Sequence, residues 1–186
     1  MLCLVCGLLW FTASPPLVAA PSAPAREYQV KAVFLFNFLQ FVEWPATVFP
    51  DQNSPIRIGV LGDDPFGSAL EEAVRDEAIN HRRLIVNRSH RVEDLRDCQL
   101  VFISKSENRR IDAILPLLNS HPVLTVSEVE GFARHGGVIA FYQDGKKVRF
   151  EINIGTAQRL GLKMSSELLR LGKIVGQESL TGDFSK

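Results

Sequence analysis

The sequence predicts a three-layer α/β sandwich with a mixed, partly parallel sheet and a C-terminal antiparallel hairpin. Helical and strand-like segments alternate along most of the chain, which is typical of a parallel sheet covered by helices on both faces. Near the carboxyl end, the turn signal Asp144-Gly145 separates two strand-like runs and indicates a hairpin. The chain has 186 residues, of which 46% are hydrophobic. This is enough for a single domain with a substantial core.

The first long segment of the domain, residues 27–44, is predicted to be a helix that ends at Pro45. Apolar residues surround it almost completely, which indicates a helix buried on most sides. Asn37 and other polar residues interrupt the run, so a membrane span is not expected.

The remaining elements follow from apolar runs, caps and turn residues. Strands are predicted over 55–61, 83–86, 99–103, 123–126, 138–142 and 147–154, and helices over 64–77, 107–118 and from Ser165 to Val175. Asp64 is expected to cap the second helix, with Pro65 at its first position. In the strand over 147–154 polar and apolar residues alternate strictly, so Arg149, Glu151 and Asn153 are expected on a solvated face.

The two ends of the chain differ from this domain. Residues 2–10 form an uncharged apolar run, and small residues follow up to Ala25, which is the layout of a signal peptide. The pattern Ala23-Pro24-Ala25 predicts cleavage before Arg26. We therefore expect a signal peptide over 1–25, one domain over 26–176 and a flexible tail over 177–186.

Charge and composition argue against several classes of function. Lys and Arg number 21, as do Asp and Glu, so the basic excess needed for nucleic-acid binding is absent. The four His residues have no metal-ligand spacing with each other or with Cys, so neither a metal nor a cofactor is expected. No nucleophile is set in a Gly-x-Ser-x-Gly turn, and no catalytic residue is predicted. These observations point away from an enzyme.

The turn that follows the first predicted strand is a candidate ligand site. Its backbone N–H groups could face an anion. It lacks the Gly-Lys-Ser/Thr ending of a phosphate loop, however, and its two Asp residues would repel phosphate. A tight turn with a helix cap is one interpretation. The other is a ligand-binding turn formed by Gly62, Asp63, Asp64, Phe66 and Gly67.

A set of motifs in a fixed order resembles the YfiR-like family. The motifs are VKAVFLFNF (30–38), FVEWP (41–45), LGDDPFG (61–67), VFIS (101–104) after Cys98, LTVS (124–127) and RFEIN (149–153). Members of this family are periplasmic, and their best-known role is to repress an inner-membrane diguanylate cyclase through its periplasmic part. The resemblance implies a periplasmic repressor that limits cyclic di-GMP and biofilm formation, without spanning the membrane itself. A homodimer is one candidate assembly.

One position departs from the family pattern. Relatives often have a Cys in the strand before the Gly-Asp-Asp-Pro turn, which pairs with the Cys that matches Cys98. Here that strand has Gly59, so no such disulfide is expected. Cys98 is then either a small buried residue or a free thiol, and its place beside an apolar strand favours burial. Asn37, Trp44, Pro45 and Cys98 are assigned structural roles.

Two functions remain in competition. The first is a repressor that binds a membrane-anchored signalling partner, and the second is a periplasmic sensor that binds a small molecule at the 61–67 turn. The candidate partner-binding residues are Arg149, Glu151, Asn153 and Lys163. Their mixture of charge beside apolar Leu162 and Met164 is typical of a transient interface. A solvated sheet face with cross-strand charge pairs is the alternative.

Overall fold

A computed structural model describes residues 22–176. The tail over 177–186 and the first 21 residues of the predicted signal peptide lie outside the described residues. The strands are β1 (Val42–Glu43), β2 (Ile56–Leu61), β3 (Ala78–Ile79), β4 (Arg82–Ser89), β5 (Leu100–Ile103), β6 (Leu124–Ser127), β7 (Ile139–Asp144), β8 (Lys147–Asn153), β9 (Lys163–Met164) and β10 (Lys173–Val175). The α-helices are α1 (Ala23–Phe41), α2 (Ala69–Val74), α3 (Ile111–Leu118), α4 (Ile154–Arg159) and α5 (Ser166–Leu171).

Eight of these strands form a mixed sheet in the described part of the chain, in the order β10-β8-β7-β6-β5-β2-β4-β3. Five neighbouring strands, from β7 to β4 in that order, are parallel. The β7–β8 hairpin is antiparallel, with Asp144 opposite Lys147 and Gly145 at φ +61° in the turn. The predicted mixed sheet and hairpin are therefore confirmed.

Apolar side chains cover both faces of the sheet. On one face, α1, α2, α4 and α5 contribute to the larger core, with Phe38 of α1 within 5.0 Å of Phe150 and 5.7 Å of Phe141 between ring centres. On the other face, Ile114 and Leu118 of α3 pack with Val101 and Ile103 of β5. This arrangement of helices, sheet and helices confirms the predicted three layers.

The long apolar helix is confirmed, but its predicted end is wrong. It stops at Phe41, because Val42 and Glu43 pair with Met164 and Lys163 in a separate two-stranded sheet, β1–β9. Pro45 lies beyond this strand and does not end the helix. The pairing of Val42 and Glu43 with a distant strand cannot be deduced from helical periodicity.

The predicted start of the second helix is also wrong. The carboxylate of Asp64 accepts a hydrogen bond from the backbone N–H of Phe66 at 2.8 Å, which makes a local turn and not a helix cap. Gly67 follows at φ +55°, outside the helical region. Helix α2 therefore begins only at Ala69.

The last elements differ from the predicted C-terminal helix. Ser165 does cap a helix, because its hydroxyl accepts from the N–H of Leu168 at 3.2 Å, but α5 ends at Leu171. Gly172 follows where a Cβ would lie within 2.6 Å of Ile152, so only glycine lets the backbone approach β8 this closely. Residues 173–175 then join the sheet as β10, parallel to β8.

Candidate functional site

The predicted partner-binding residues on β8 have different surroundings. Arg149 is exposed, with its Nε atom 3.8 Å from the carboxylate of Asp144. The side chain of Glu151 is only 14% exposed, and its carboxylate lies 3.1 Å from the amine of Lys173 and 3.7 Å from the guanidinium of Arg134. Glu151 is therefore a largely covered anion held between two cations.

Asn153 was expected on the solvated face, and this expectation is wrong. Its side-chain nitrogen donates to the carbonyl of Ala133 at 2.7 Å, and its side-chain oxygen accepts from the N–H of Thr156 at 2.9 Å. The residue is buried and caps helix α4. The alternation of β8 ends here because Asn153 is also the N-cap residue of helix α4.

Lys163 does not share the polar face of β8. It is exposed on β9, opposite Glu43 in the two-stranded sheet with β1. The predicted set of four residues is therefore divided among the solvated part of β8, a buried helix cap and a second sheet. Binding of a partner by Arg149, Glu151 or Lys163 stays a prediction.

The 62–67 turn is engaged in contacts with its own protein. Gly62 has φ +88°, and its close neighbour Ser106 accepts a hydrogen bond from the N–H of Asp63 at 3.0 Å. The carboxylate of Asp64 accepts from Nε of Arg88 at 2.7 Å, and Arg88 also binds Glu71. The ring of Phe66 is buried in the core. These contacts explain the turn without a ligand, and ligand binding there stays a prediction.

A buried charge network lies near the carboxyl ends of β5 and β6. Lys31 of α1 is 3% exposed and forms ion pairs with Glu27 and Glu128, and Glu128 is only 4% exposed. Tyr28 donates its hydroxyl proton to Glu128 at 2.7 Å, and the amine of Lys105 lies 3.5 Å away on the solvent side. The network connects α1 to the residue that follows β6, and so fixes the helix on the sheet.

Two groups of this network have shifted pKa values. Burial, together with the hydrogen bond to Glu128, raises the pKa of Tyr28 above its usual value, so the phenol remains a donor. For Glu27, burial acts to raise the pKa, but the hydrogen bonds from Lys31 and Gln143 outweigh it and hold the pKa below its usual value. Glu27 and Lys31 stand at i and i+4 in the sequence, but this spacing does not indicate their third partner, Glu128. A lone Lys within a mostly apolar helix was the available signal.

The structure gives contacts that support a structural role for Trp44 and Pro45, but not for Asn37. Trp44 is half-buried, and its indole N–H donates to the carbonyl of Gln99 at 3.1 Å. Pro45 is half-buried beside Gly161. Asn37 lies half-exposed on α1, where the described part of the structure gives its side chain no hydrogen bond. The structural role of Asn37 stays a prediction.

Cys98 is buried, as the sequence favoured, and is a free thiol in the described chain. Burial raises the pKa of this thiol to about 12, so it remains protonated and weakly reactive at neutral pH. Gly59 lies opposite, where an added Cβ would be 3.3 Å from the sulfur of Cys98. The pair of positions is therefore in contact.

A groove runs between α1 and the β7–β8 hairpin, with a volume of about 850 Å³. We call it the α1–hairpin groove and define it by Arg26, Val30 and Phe34 on the helix and Lys146, Lys147 and Arg149 on the hairpin. Val30 is 45% exposed and the adjacent Val33 is 51% exposed. The apolar pattern of α1 predicts a helix buried on most sides, so this open side was not expected.

Two features are absent from the part of the chain that the structure describes. Among residues 22–176, no group of three or more His, Cys, Asp or Glu side chains is placed to hold a metal ion. No helix in this part of the chain combines the length and the apolar character needed to cross a membrane.

The YfiR/HmsC-like family model matches residues 28–173, from the second turn of α1 to the first residue of β10. The chain belongs to the YfiR/HmsC-like family. This is a family of periplasmic regulatory proteins linked to cyclic di-GMP signalling. The family predicted from the ordered motifs is thus confirmed.

The fold is also similar to a crystal structure of a conserved domain protein from Vibrio cholerae O1 biovar El Tor. The two share a TM-score of 0.53 at 10% sequence identity over 79% of this chain. The matched region spans 59% of the Vibrio protein. At this identity the likeness concerns the fold alone.

Proposed function

We propose that this YfiR/HmsC-like protein binds and represses a membrane-anchored diguanylate cyclase from the periplasmic side, and so limits cyclic di-GMP. The observation that carries the proposal is the family match, which covers nearly all of the described domain. Export by the signal peptide predicted over residues 1–25 would bring the protein to the compartment where this partner exposes its periplasmic part.

The α1–hairpin groove is the surface that we assign to the partner. Its apolar part comes from Val30 and Phe34, and Val33 lies beside it on the same helix. Val30 and Val33 are about half exposed, whereas the next turns of α1 bury Leu35 and Phe38 completely. A partner that covers these valines removes apolar surface from water, which is the main source of association free energy.

The rim of the groove is positively charged. Arg26 lies on the helix side, and Lys146, Lys147 and Arg149 lie on the hairpin side. The one acidic residue that lines the groove, Glu27, is already paired with Lys31. A segment with acidic side chains around an apolar centre therefore complements this surface, and such complementarity favours encounter and specificity.

Glu151 is less suitable for a test of the interface than its exposed neighbour Arg149. Reversing Glu151 to Lys would place a third cation beside Arg134 and Lys173. The change would therefore lower the stability of the fold, whether or not Glu151 contacts a partner. Arg149 is about half exposed and lies 3.8 Å from Asp144, so its reversal should disturb the fold little.

The proposal is tested by capture from solubilised inner membranes with three forms of the purified protein. The wild type should retain a protein with a diguanylate cyclase domain. The double variant Val30→Ser/Val33→Ser should lose it, because the apolar contact is removed. The matched control is Leu171→Ser on α5, which changes an equally apolar residue that is 63% exposed outside the groove.

Each result of this capture has one meaning. Retention of a cyclase by the wild type and the Leu171 variant, but not by the groove variant, supports both the partner and the surface. Equal retention by all three forms contradicts the surface. If mass spectrometry finds no diguanylate cyclase on the wild-type protein, the proposed partner is wrong.

A further inference from the structure

A second concave site lies at the opposite end of the sheet from the 62–67 turn. It is bounded by the segments that precede β2, β5 and β6 and by the loop after β1, with a volume of about 450 Å³. We call it the amino-end cavity and define it by Phe49, Arg57, Arg96, Gln99, His121 and Pro122. This volume lies within the usual range of small-molecule sites.

The cavity contains arginines that the described protein does not neutralise. Arg57 and Arg96 are both half-buried, and within residues 22–176 neither forms an ion pair with a carboxylate. Asp97 also lines the cavity and is exposed. Arg88 shows the contrasting case, because its guanidinium binds both Asp64 and Glu71.

Arg96 has a further unusual property. Its Nε atom is buried, yet it donates to no acceptor in the described part of the protein. A buried donor without an acceptor is costly, and native proteins contain few of them. A bound water or the oxygen of a ligand would satisfy this donor.

The wall of the cavity is held in place by contacts behind it. The guanidinium of Arg82 donates to the carbonyls of Asp51 and Ser54 at 2.8 and 2.7 Å, and lies 4.0 Å from the ring centre of Phe49. On the floor, the side-chain oxygen of Gln99 accepts from the N–H of Arg57 at 2.7 Å. Such fixed walls reduce the ordering cost of binding a ligand.

Much of the remaining lining is apolar, and Thr47, Ser54 and His121 add polar groups to it. Val48, Phe49, Pro50, Pro55, Pro122 and Val123 contribute carbon surface around the arginines. Guanidinium groups bind carboxylates through paired hydrogen bonds, and apolar walls accept the carbon body of the same molecule. This combination distinguishes an organic acid from a bare inorganic anion.

We propose that the amino-end cavity binds a small organic carboxylate, with its carboxylate on Arg96 and Arg57 and its apolar body against Phe49 and Pro122. The site is independent of the proposed partner surface, since it shares no residue with the α1–hairpin groove. Its occupant need not be known for a test, because benzoate has both required features and benzamide is its neutral isostere.

The test is a titration of the wild-type protein with benzoate, benzamide and inorganic phosphate at constant ionic strength, followed by the amide NMR signals. Benzoate should shift signals of residues 48–50, 96–99 and 121–123. Benzamide should bind at least about tenfold more weakly, because the charged hydrogen bonds are lost. Phosphate should also bind more weakly, because it has no carbon body.

Arginine variants test whether the guanidinium of Arg96 is responsible for benzoate binding. Arg96→Gln should weaken benzoate about tenfold and leave benzamide unchanged. The matched control is Arg109→Gln, which changes an exposed arginine outside the cavity and should have no effect. If Arg96→Gln does not fold, Arg57→Gln provides the same comparison.

Results of the following kinds would overturn the proposal. They are the absence of shifts at the amino-end cavity with benzoate, equal binding of benzoate and benzamide, and benzoate binding that is unchanged in the arginine variants. Phosphate binding as tight as that of benzoate would also contradict it, because the apolar walls would then contribute nothing.

Discussion

Replacing Lys31 with Met removes the cation from the centre of the buried charge network. Glu128 then remains 4% exposed, with its hydrogen bond from Tyr28 at 2.7 Å and the amine of Lys105 at 3.5 Å. Met has a similar length and an apolar side chain, so little cavity is created. The main consequence is an incompletely neutralised carboxylate in the protein interior.

The magnitude follows from the partners that remain. Removing one member of a buried ion pair costs about 3–5 kcal/mol in the free energy of unfolding. Since Tyr28 and Lys105 still stabilise the carboxylate of Glu128, we expect the lower end, about 3 kcal/mol. Glu128→Gln alone should also destabilise the protein, because Lys31 then keeps only the partly exposed Glu27.

Urea unfolding of the two single variants and the double variant measures this effect. The double variant should lose at least about 1 kcal/mol less than the sum of the single changes, because no unpaired charge then remains in the interior and only the partly exposed Glu27 has lost its partner. Lys146→Met on the exposed hairpin is the control and should change stability by less than about 0.5 kcal/mol. A loss below about 1 kcal/mol for Lys31→Met, or strict additivity, would refute the reasoning.

Three further predictions concern other parts of the fold. Asn153→Ala removes a helix cap and a buried hydrogen bond, and should cost about 2–4 kcal/mol in urea unfolding; a loss below about 0.5 kcal/mol would show that Asn153 has no structural role. Cys98 should react with a thiol reagent only after denaturation, and rapid labelling of the native thiol would contradict its burial. Gly59→Cys should form a disulfide with Cys98 that raises stability by about 3 kcal/mol relative to the reduced variant. A melt of this variant that does not change on reduction would contradict the contact between the two positions. The lowered pKa of Glu27 means that its contribution is present above its unfolded value of 4.5 and is lost as pH falls through the lower folded value. The loss of stability on acidification below pH 4.5 should therefore be smaller in Glu27→Gln than in the wild type, and equal pH profiles would contradict this.

The sheet was the most predictable part of the fold. The Asp144-Gly145 turn and the alternation over β8 depend only on residues close together in the chain, so both can be predicted from one sequence. The end of that alternation was not predictable in the same way. Asn153 fits a solvated strand position, but it also fits a helix cap, and only the contact with Ala133 decides between them.

The candidate sites depended more on distant contacts. Lys31 is an unusual residue in an apolar helix, but its partner Glu128 lies 97 residues away in sequence. The arginines of the amino-end cavity come from separate segments that meet because β2 and β5 are parallel neighbours. Without the sheet order, Arg57 and Arg96 are ordinary surface residues.

The position of β10 was missed for a related reason. Ile174 and Val175 continue the apolar spacing of α5, so helical periodicity includes them. Gly172 lets the chain leave the helix and approach Ile152, and pairing with β8 then determines the strand. This pairing is a tertiary contact that overrides the local pattern.

The central claim is repression of a diguanylate cyclase through the α1–hairpin groove, and cellular cyclic di-GMP tests it most directly. The nucleotide is measured in a strain that lacks the gene, and in the same strain supplied with the wild type, with Arg149→Glu or with Leu171→Ser. Deletion should raise cyclic di-GMP, and the wild type and the Leu171 variant should restore the low level. Arg149→Glu should not restore it at equal periplasmic abundance. An unchanged level after deletion would contradict repression, and full restoration by Arg149→Glu would contradict the assigned surface.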